Sequence, residues 1–247
     1  MNKNELTNRA RAGNLLVTLG ILFFCCATSQ IVAAQQVDSA AILKEIDAAV
    51  KARFDGIQGY TDTEYYAVFR SGDAVHPVAE MTVKTTYNRD TGKSYAIISE
   101  SGSLLVRNLV LSSVLDNEKH VNDPSVRQGT WFTTANYEMT VNPGGTQTMD
   151  GRNCVALTIK PRRKEPYLLD GTLWVDAEDG RIVHIEGTAS RSSSVFTGPT
   201  KMMRQYADVD GFAQATHARA ESDSSLFGKT VVTIDYRDYQ IELSQRR

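Results

Sequence analysis

Met149–Gly187 reads M-D-G-R-N-C-V-A-L-T-I-K-P-R-R-K-E-P-Y-L-L-D-G-T-L-W-V-D-A-E-D-G-R-I-V-H-I-E-G. From Cys154 the side chains alternate. Val155, Leu157 and Ile159 fall on one face, and Cys154, Ala156, Thr158 and Lys160 on the other, which is the period of a strand with one face buried. Pro161 ends that strand, because a proline cannot donate to the next ladder bond. A basic corner follows, Arg162-Arg163-Lys164, and then two further runs, Tyr167–Asp176 and Arg181–Gly187. The turn composition Ala177-Glu-Asp-Gly180 between them predicts a hairpin. Trp174 shares its face of that hairpin with Asp170, Thr172 and Asp176.

The same grammar extends in both directions. Tyr60–Arg70, Val78–Asn88 and Ser94–Ser99 are rich in β-branched and aromatic residues, and the turn cluster Asn88-Arg-Asp-Thr-Gly92 separates the last two. Lys201–Asp208 and Ala213–Glu221 flank Asp208-Val-Asp-Gly211 as a second hairpin, and Thr230–Tyr239 is a last strand. Two segments break the pattern. Ala40–Phe54 repeats Ile42, Ile46, Val50 and Phe54 at helical spacing behind a cap at Asp38 or Ser39. Leu104–His120 carries Leu104, Leu105, Leu109, Leu111, Val114 and Leu115 over so wide an arc that a helix there is expected to be buried on more than one side. It suits a helix lying across the concave face of a sheet, or equally an ordinary core helix. Strands joined by short turns plus two helices predict an α+β domain, a strongly curved antiparallel β-sheet or incomplete β-barrel with helices on the concave side.

The front of the chain addresses the compartment. Lys3, Arg9 and Arg11 precede the apolar run Leu15–Cys26, and Val32-Ala33-Ala34 supplies small residues before Gln35, the order of a cleaved secretory signal peptide over residues 1–34. The alternative is an uncleaved membrane anchor. Acylation at Cys25 or Cys26 is disfavoured by the bulky Phe23 and Phe24. Residues 35–247 are then one domain. Three of the 27 basic and one of the 29 acidic side chains lie in residues 1–34, so the remainder holds 24 against 28, a net charge of −4. An acidic chain lacks the clustered basic face that nucleic acid needs. Cys154 alone remains beyond residue 34, so no disulfide forms within the domain, and a small buried thiol is its expected role.

Catalytic constellations are missing from the sequence. There is no G-x-S-x-G, no phosphate-binding loop and no dinucleotide fingerprint. His184 with Glu186, and His217 with Glu221, share strand faces, but neither pair has a third metal ligand at useful spacing. Asp176–Gly180 places its glycine too early for a calcium loop. Ser192–Ser194 has no neighbouring histidine and reads as a loop. The expectation is a protein that is not an enzyme, with no catalytic residue, metal or cofactor.

Gly151-Arg152 ahead of the alternating strand, Gly171-x-x-Trp174-x-Asp176, and Ile182-Val-x-Ile185 resemble the periplasmic lipoprotein-carrier superfamily of LolA-like carriers, LolB-like receptors and RseB-like sensors. Phe196–Pro199, Leu226–Lys229 and Ile234–Tyr239 are similar to segments of secreted outer-membrane lipoprotein-sorting-like proteins. The resemblance implies an unclosed barrel whose concave apolar face takes acyl chains of lipoproteins or lipids under a helical lid, in the periplasm. On that reading Leu105, Leu109, Leu157, Leu173 and Val175 line the groove and Trp174 stands at its rim. Arg162, Arg163 and Lys164 form a corner for an anionic partner such as lipid phosphate or an envelope protein, or a solvated turn. The rival expectation is an envelope interaction module with a filled core and no ligand.

Overall fold

The computed structural model describes residues 38–191, 198–224 and 228–245. The expected signal peptide, the Ser192–Ser194 cluster and parts of Phe196–Pro199 and Leu226–Lys229 lie outside them. Three strands follow a first helix, α1 (Ser39–Gly56): β1 (Ile57–Arg70), β2 (Ala79–Asn88) and β3 (Gly92–Gly102). A helical segment comes next, with α2 (Leu104–Val106), a π-helical stretch (Arg107–Leu111) and α3 (Ser112–Val121). Seven more strands complete the chain: β4 (Tyr137–Met149), β5 (Arg152–Pro161), β6 (Leu169–Asp176), β7 (Ile182–Ala189), β8 (Lys201–Val209), β9 (Phe212–Ser224) and β10 (Gly228–Leu243).

Among the described residues all ten strands join one antiparallel sheet, in the order β3-β2-β1-β10-β9-β8-β7-β6-β5-β4. Two meanders, β1–β3 and β4–β10, are therefore stitched together by the pairing of β1 with β10. β3 and β4 are left as edges, so the curved sheet is unclosed. Its curvature has a visible source. Extra residues interrupt the ladders at Ile98 on β3, Val183 on β7 and Thr216 on β9, and Asp62 on β1 faces both Asp238 and Tyr239 on β10. Each such bulge bends its strand and adds twist. Asp238 takes the left-handed backbone conformation (φ 58°) that this bulge requires.

β4 was not foreseen. Its residues Asn142-Pro143-Gly144-Gly145 have the composition of a loop, and the register jumps there from Val141–Leu157 to Thr146–Val155. An edge strand can carry such an interruption because one side of it has no ladder to lose.

The inner face holds two apolar clusters, each beneath its own helix. Ile42 and Ile46 of α1 are buried with Val155, Leu157, Ile159, Leu173, Val175 and Ile185 of β5–β7. The Asp38 side chain caps α1 by accepting from the Ala40 and Ala41 amides. Arg53 ties the far end of α1 to β9, donating to the Ala213 carbonyl (3.0 Å) and to Gln214 Oε1 (2.8 Å). Gly180, in the β6–β7 turn at φ 68°, lies against the backbone of Glu45 and Ile46, where a Cβ would come within 2.5 Å of the Glu45 carbonyl carbon. The second cluster gathers Tyr66, Val68, Met81, Val83, Val232 and Ile234 of β1, β2 and β10 under Val106 and Leu111.

Candidate functional site

Val106 and Leu111 are fully buried, whereas Leu104, Leu105 and Leu109 are 61%, 59% and 50% exposed. A regular α-helix separates positions five apart by about 140°, but a π-helical turn returns to nearly the same side after five residues. The stretch Arg107–Leu111 therefore aims Val106 and Leu111 together at the sheet and turns Leu105 and Leu109 outward. This corrects the expectation that the helix would be buried on several sides.

The residues expected to line one groove fall in three places. Leu157, Leu173 and Val175 lie under α1 in the first cluster. Leu105 and Leu109 are on the outer side of the second helical segment. Trp174 is on the opposite face of the sheet from Leu173 and Val175, as strand alternation demands, with its ring edge-on to His184 at 5.0 Å between centroids. It pairs across strands with Ala156 and His184, so it does not border the inner face. The basic corner is tied into the structure. Arg163 donates to Asn136 Oδ1 (3.0 Å) and to the Gly129 carbonyl, and Arg162 donates to the Thr134 carbonyl (3.0 Å), while Lys164 is exposed.

Next to the second cluster lies a polar centre that the sequence reading did not pick out. Asp62 and Glu64 of β1, Thr85 of β2 and Lys93 of β3 are all buried. Glu64 Oε1 is 2.7 Å from Lys93 Nζ, and Glu64 Oε2 accepts from the Tyr66 hydroxyl. Lys93 also reaches Glu118 of α3 (3.4 Å), and Glu118 in turn meets Arg204 of β8 (2.7 Å). The Lys93 ammonium stands 5.3 Å from the Tyr95 ring centre and 5.9 Å from that of Tyr236, within range of a cation–π attraction. A chain of alternating charge thus runs from β1 through β3 and α3 to β8, pinning the helical segment across the inner face.

These environments perturb the carboxyls in opposite directions. Burial alone would raise Glu118, but Arg204 and Lys93 overcome it and hold the group down at about 2. Burial, with Glu64 beside it, pushes Asp62 up to about 7, against the pull of Lys93 and of the Thr85 and Tyr239 hydroxyls. The alternating pattern of β1, Asp62-Thr-Glu64-Tyr-Tyr66, was the available signal. Two acids on the buried side of a strand are rare unless something pairs with them.

Among the described residues, one pocket of about 390 Å³ and another of about 210 Å³ open on the sheet. Thr172, Glu186, Met203 and Arg219 line the larger and Arg70, Lys229 and Thr233 the smaller; both include Arg219, on the outer face. Among the described residues no helix is long and apolar enough to cross a membrane, and no group of three or more His, Cys, Asp and Glu is placed to hold a metal ion.

No protein-family profile matches the sequence, and neither does any curated protein sequence. Solved structures of similar shape exist. A LolA superfamily protein from Nitrosomonas europaea aligns at 12% identity over 82% of this chain and 93% of its own, with a TM-score of 0.43. An outer membrane lipoprotein-sorting protein domain described for Vibrio parahaemolyticus aligns at 13% identity over 80% and 91%, with a TM-score of 0.45. A DUF1329 family protein from Desulfovibrio piger gives 13% identity over 83% and 95%, and 0.41.

Proposed function

We propose that this is an exported, non-enzymatic carrier or sensor whose inner face receives the acyl chain of a lipoprotein or lipid when the segment Leu104–Val121 lifts away. The observation that carries the reading is the way that segment is seated. Only Val106 and Leu111 of its residues are fully buried, its middle is π-helical, and Glu118 pins its far end by ion pairs. Lifting it forfeits roughly 3–6 kcal/mol of side-chain burial, at 1.5–3 for each of the two. A chain of about six methylenes regains a similar amount, about 5 kcal/mol at ~0.8 kcal/mol each. Tyr66, Val68, Met81, Val83, Val232 and Ile234 would then line the groove, with Leu104, Leu105 and Leu109 as an apolar approach. The periplasm is the proposed location, on the strength of residues 1–34.

The test is detergent-free native mass spectrometry of Gln35–Arg247 purified from a bacterial periplasm, followed by fluorescent fatty-acid uptake and hydrogen exchange. Uptake should speed exchange over residues 104–121 and leave β5 and β6 unchanged. A clean unliganded mass with no uptake would sink the reading. The outer-face pockets would then favour an interaction module of the envelope.

A further inference from the structure

The two edges of the sheet are built differently. β4 is blunted by its own sequence, since Pro143 has no amide to offer and Gly144 and Gly145 turn the backbone to positive φ (130° and 73°). β3 carries no such interruption. It pairs with β2 on one side and, among the described residues, with no strand on the other. Every residue from Ala96 to Gly102 is exposed, so the helical segment leaves the free side of this half of the strand open. The strand's charges are engaged within the fold: Lys93 is buried on Glu64, and Glu100 meets Arg107. Between them, Ser94–Ser99 holds neither a charged residue nor a proline.

Five of the seven large apolar side chains exposed among the described residues fall between Ile97 and Leu109, which concentrates them at this edge. Ile97 and Ile98 are 56% and 60% exposed on the strand itself. Leu104, Leu105 and Leu109 belong to the segment that doubles back along β3, where Arg107 meets Glu100 and Glu118, further on, meets Lys93. An uncharged, proline-free edge flanked by apolar side chains is a template for another strand. The bulge at Ile98 selects which strand. A bulge bends an edge away from a foreign strand that lacks the same bend. A second copy, related by a two-fold axis normal to the sheet, brings an identical bend toward the same face. That operation runs the two β3 strands antiparallel and keeps both helical segments on one side of the joined sheet. In the register centred between Ile97 and Ile98, Ile97 of one copy faces Ile98 of the other and Glu100 faces Tyr95, so no like charges meet.

We infer that β3 is a self-pairing edge, through which two copies of this chain join their sheets around Ile97 and Ile98. The inference is independent of the acyl-binding reading. Sedimentation velocity of Gln35–Arg247 between about 2 and 200 µM should show a monomer passing into a dimer as concentration rises. Ile98→Lys sets two ammonium groups beside the axis and should weaken the dimer at least tenfold. Leu243→Lys, at a leucine 58% exposed on β10 and off this edge, should leave the dimer unchanged. Both positions are exposed, so both variants should keep the circular dichroism of the unmutated protein. In the unmutated protein, amides of residues 96–100 should exchange at least tenfold more slowly at the concentrated end than at the dilute end, while those of residues 142–148 on β4 stay the same. A monomer at every concentration would overturn the pairing. So would a dimer that tolerates Ile98→Lys, one weakened equally by Leu243→Lys, or one whose β3 amides exchange as fast as the monomer's.

Discussion

Val106 and Leu111, five residues apart in one helical segment, are buried against the same apolar face of the sheet. Their shared orientation exists only because the turn between them is π-helical, and it decides which leucines of the segment matter to stability. Leu111→Ala should cost about 2–5 kcal/mol in urea unfolding, the usual range for a large-to-small change in a core. Leu109→Ala, on the exposed side, should stay within about 0.5 kcal/mol. A reversed order would show that the segment sits on the sheet in a different rotation.

The same pair shows where the sequence stops being legible. Period-two alternation in β5 placed Val155, Leu157 and Ile159 correctly on one buried face, because a strand's faces follow from counting. Helical faces follow from counting only while the turn stays at 3.6 residues, and nothing in Arg107-Asn-Leu-Val-Leu111 announces the wider turn. β4 was hidden for another reason, since Pro143-Gly144-Gly145 is loop chemistry that only an edge strand accommodates. The polar centre was missed because its members come from five elements. The sequence shows Asp62 and Glu64 as polar positions in a strand, but only the β1–β10 pairing and the helix laid across it make them interior.

Glu118 should make the fold acid-sensitive. Its carboxyl is held at about 2, against an ordinary value near 4.5, by Arg204 and Lys93 overcoming its burial. A lowered carboxyl stabilises the folded chain fully above 4.5, and that contribution drains away as pH falls toward 2. The difference corresponds to roughly 3 kcal/mol. Glu118→Gln should therefore be less stable than the unmutated protein at pH 7 by about that amount, with the two converging near pH 2. Urea midpoints measured across that range would reveal parallel curves if Glu118 were not engaged.

Gly171 and Gly187 face each other directly across β6 and β7. A Cβ on Gly171 would lie 2.1 Å from the Glu186 carbonyl oxygen and 2.5 Å from the Gly187 Cα, both of them backbone atoms that cannot rotate away. Gly171→Ala should cost about 1–3 kcal/mol or more, as overpacking generally does. The loss should be local, with faster amide exchange in β6 and β7 than in β1 and β2. Uniform exchange across the sheet would mean that the close approach is not retained in solution.

Asp62 should act on stability with the opposite sign to Glu118. Burial first, and Glu64 second, raise its carboxyl from 3.8 to about 7. The unfolded chain then gives up this proton more readily than the folded one. The folded state is therefore unaffected by Asp62 below about pH 3.8, loses stability as pH climbs toward 7, and stays penalised above it. The span corresponds to something on the order of 4 kcal/mol. Asp62→Asn keeps the shape and removes the charge, so its melting temperature should match that of the unmutated protein at pH 4 and exceed it at pH 8. Glu118→Gln should be the less stable variant at pH 8, so the two substitutions move the melting point in opposite directions from the same centre. An Asp62→Asn protein that melts lower at pH 8 would mean that Lys93 and the Thr85 and Tyr239 hydroxyls already compensate the carboxylate in the folded chain.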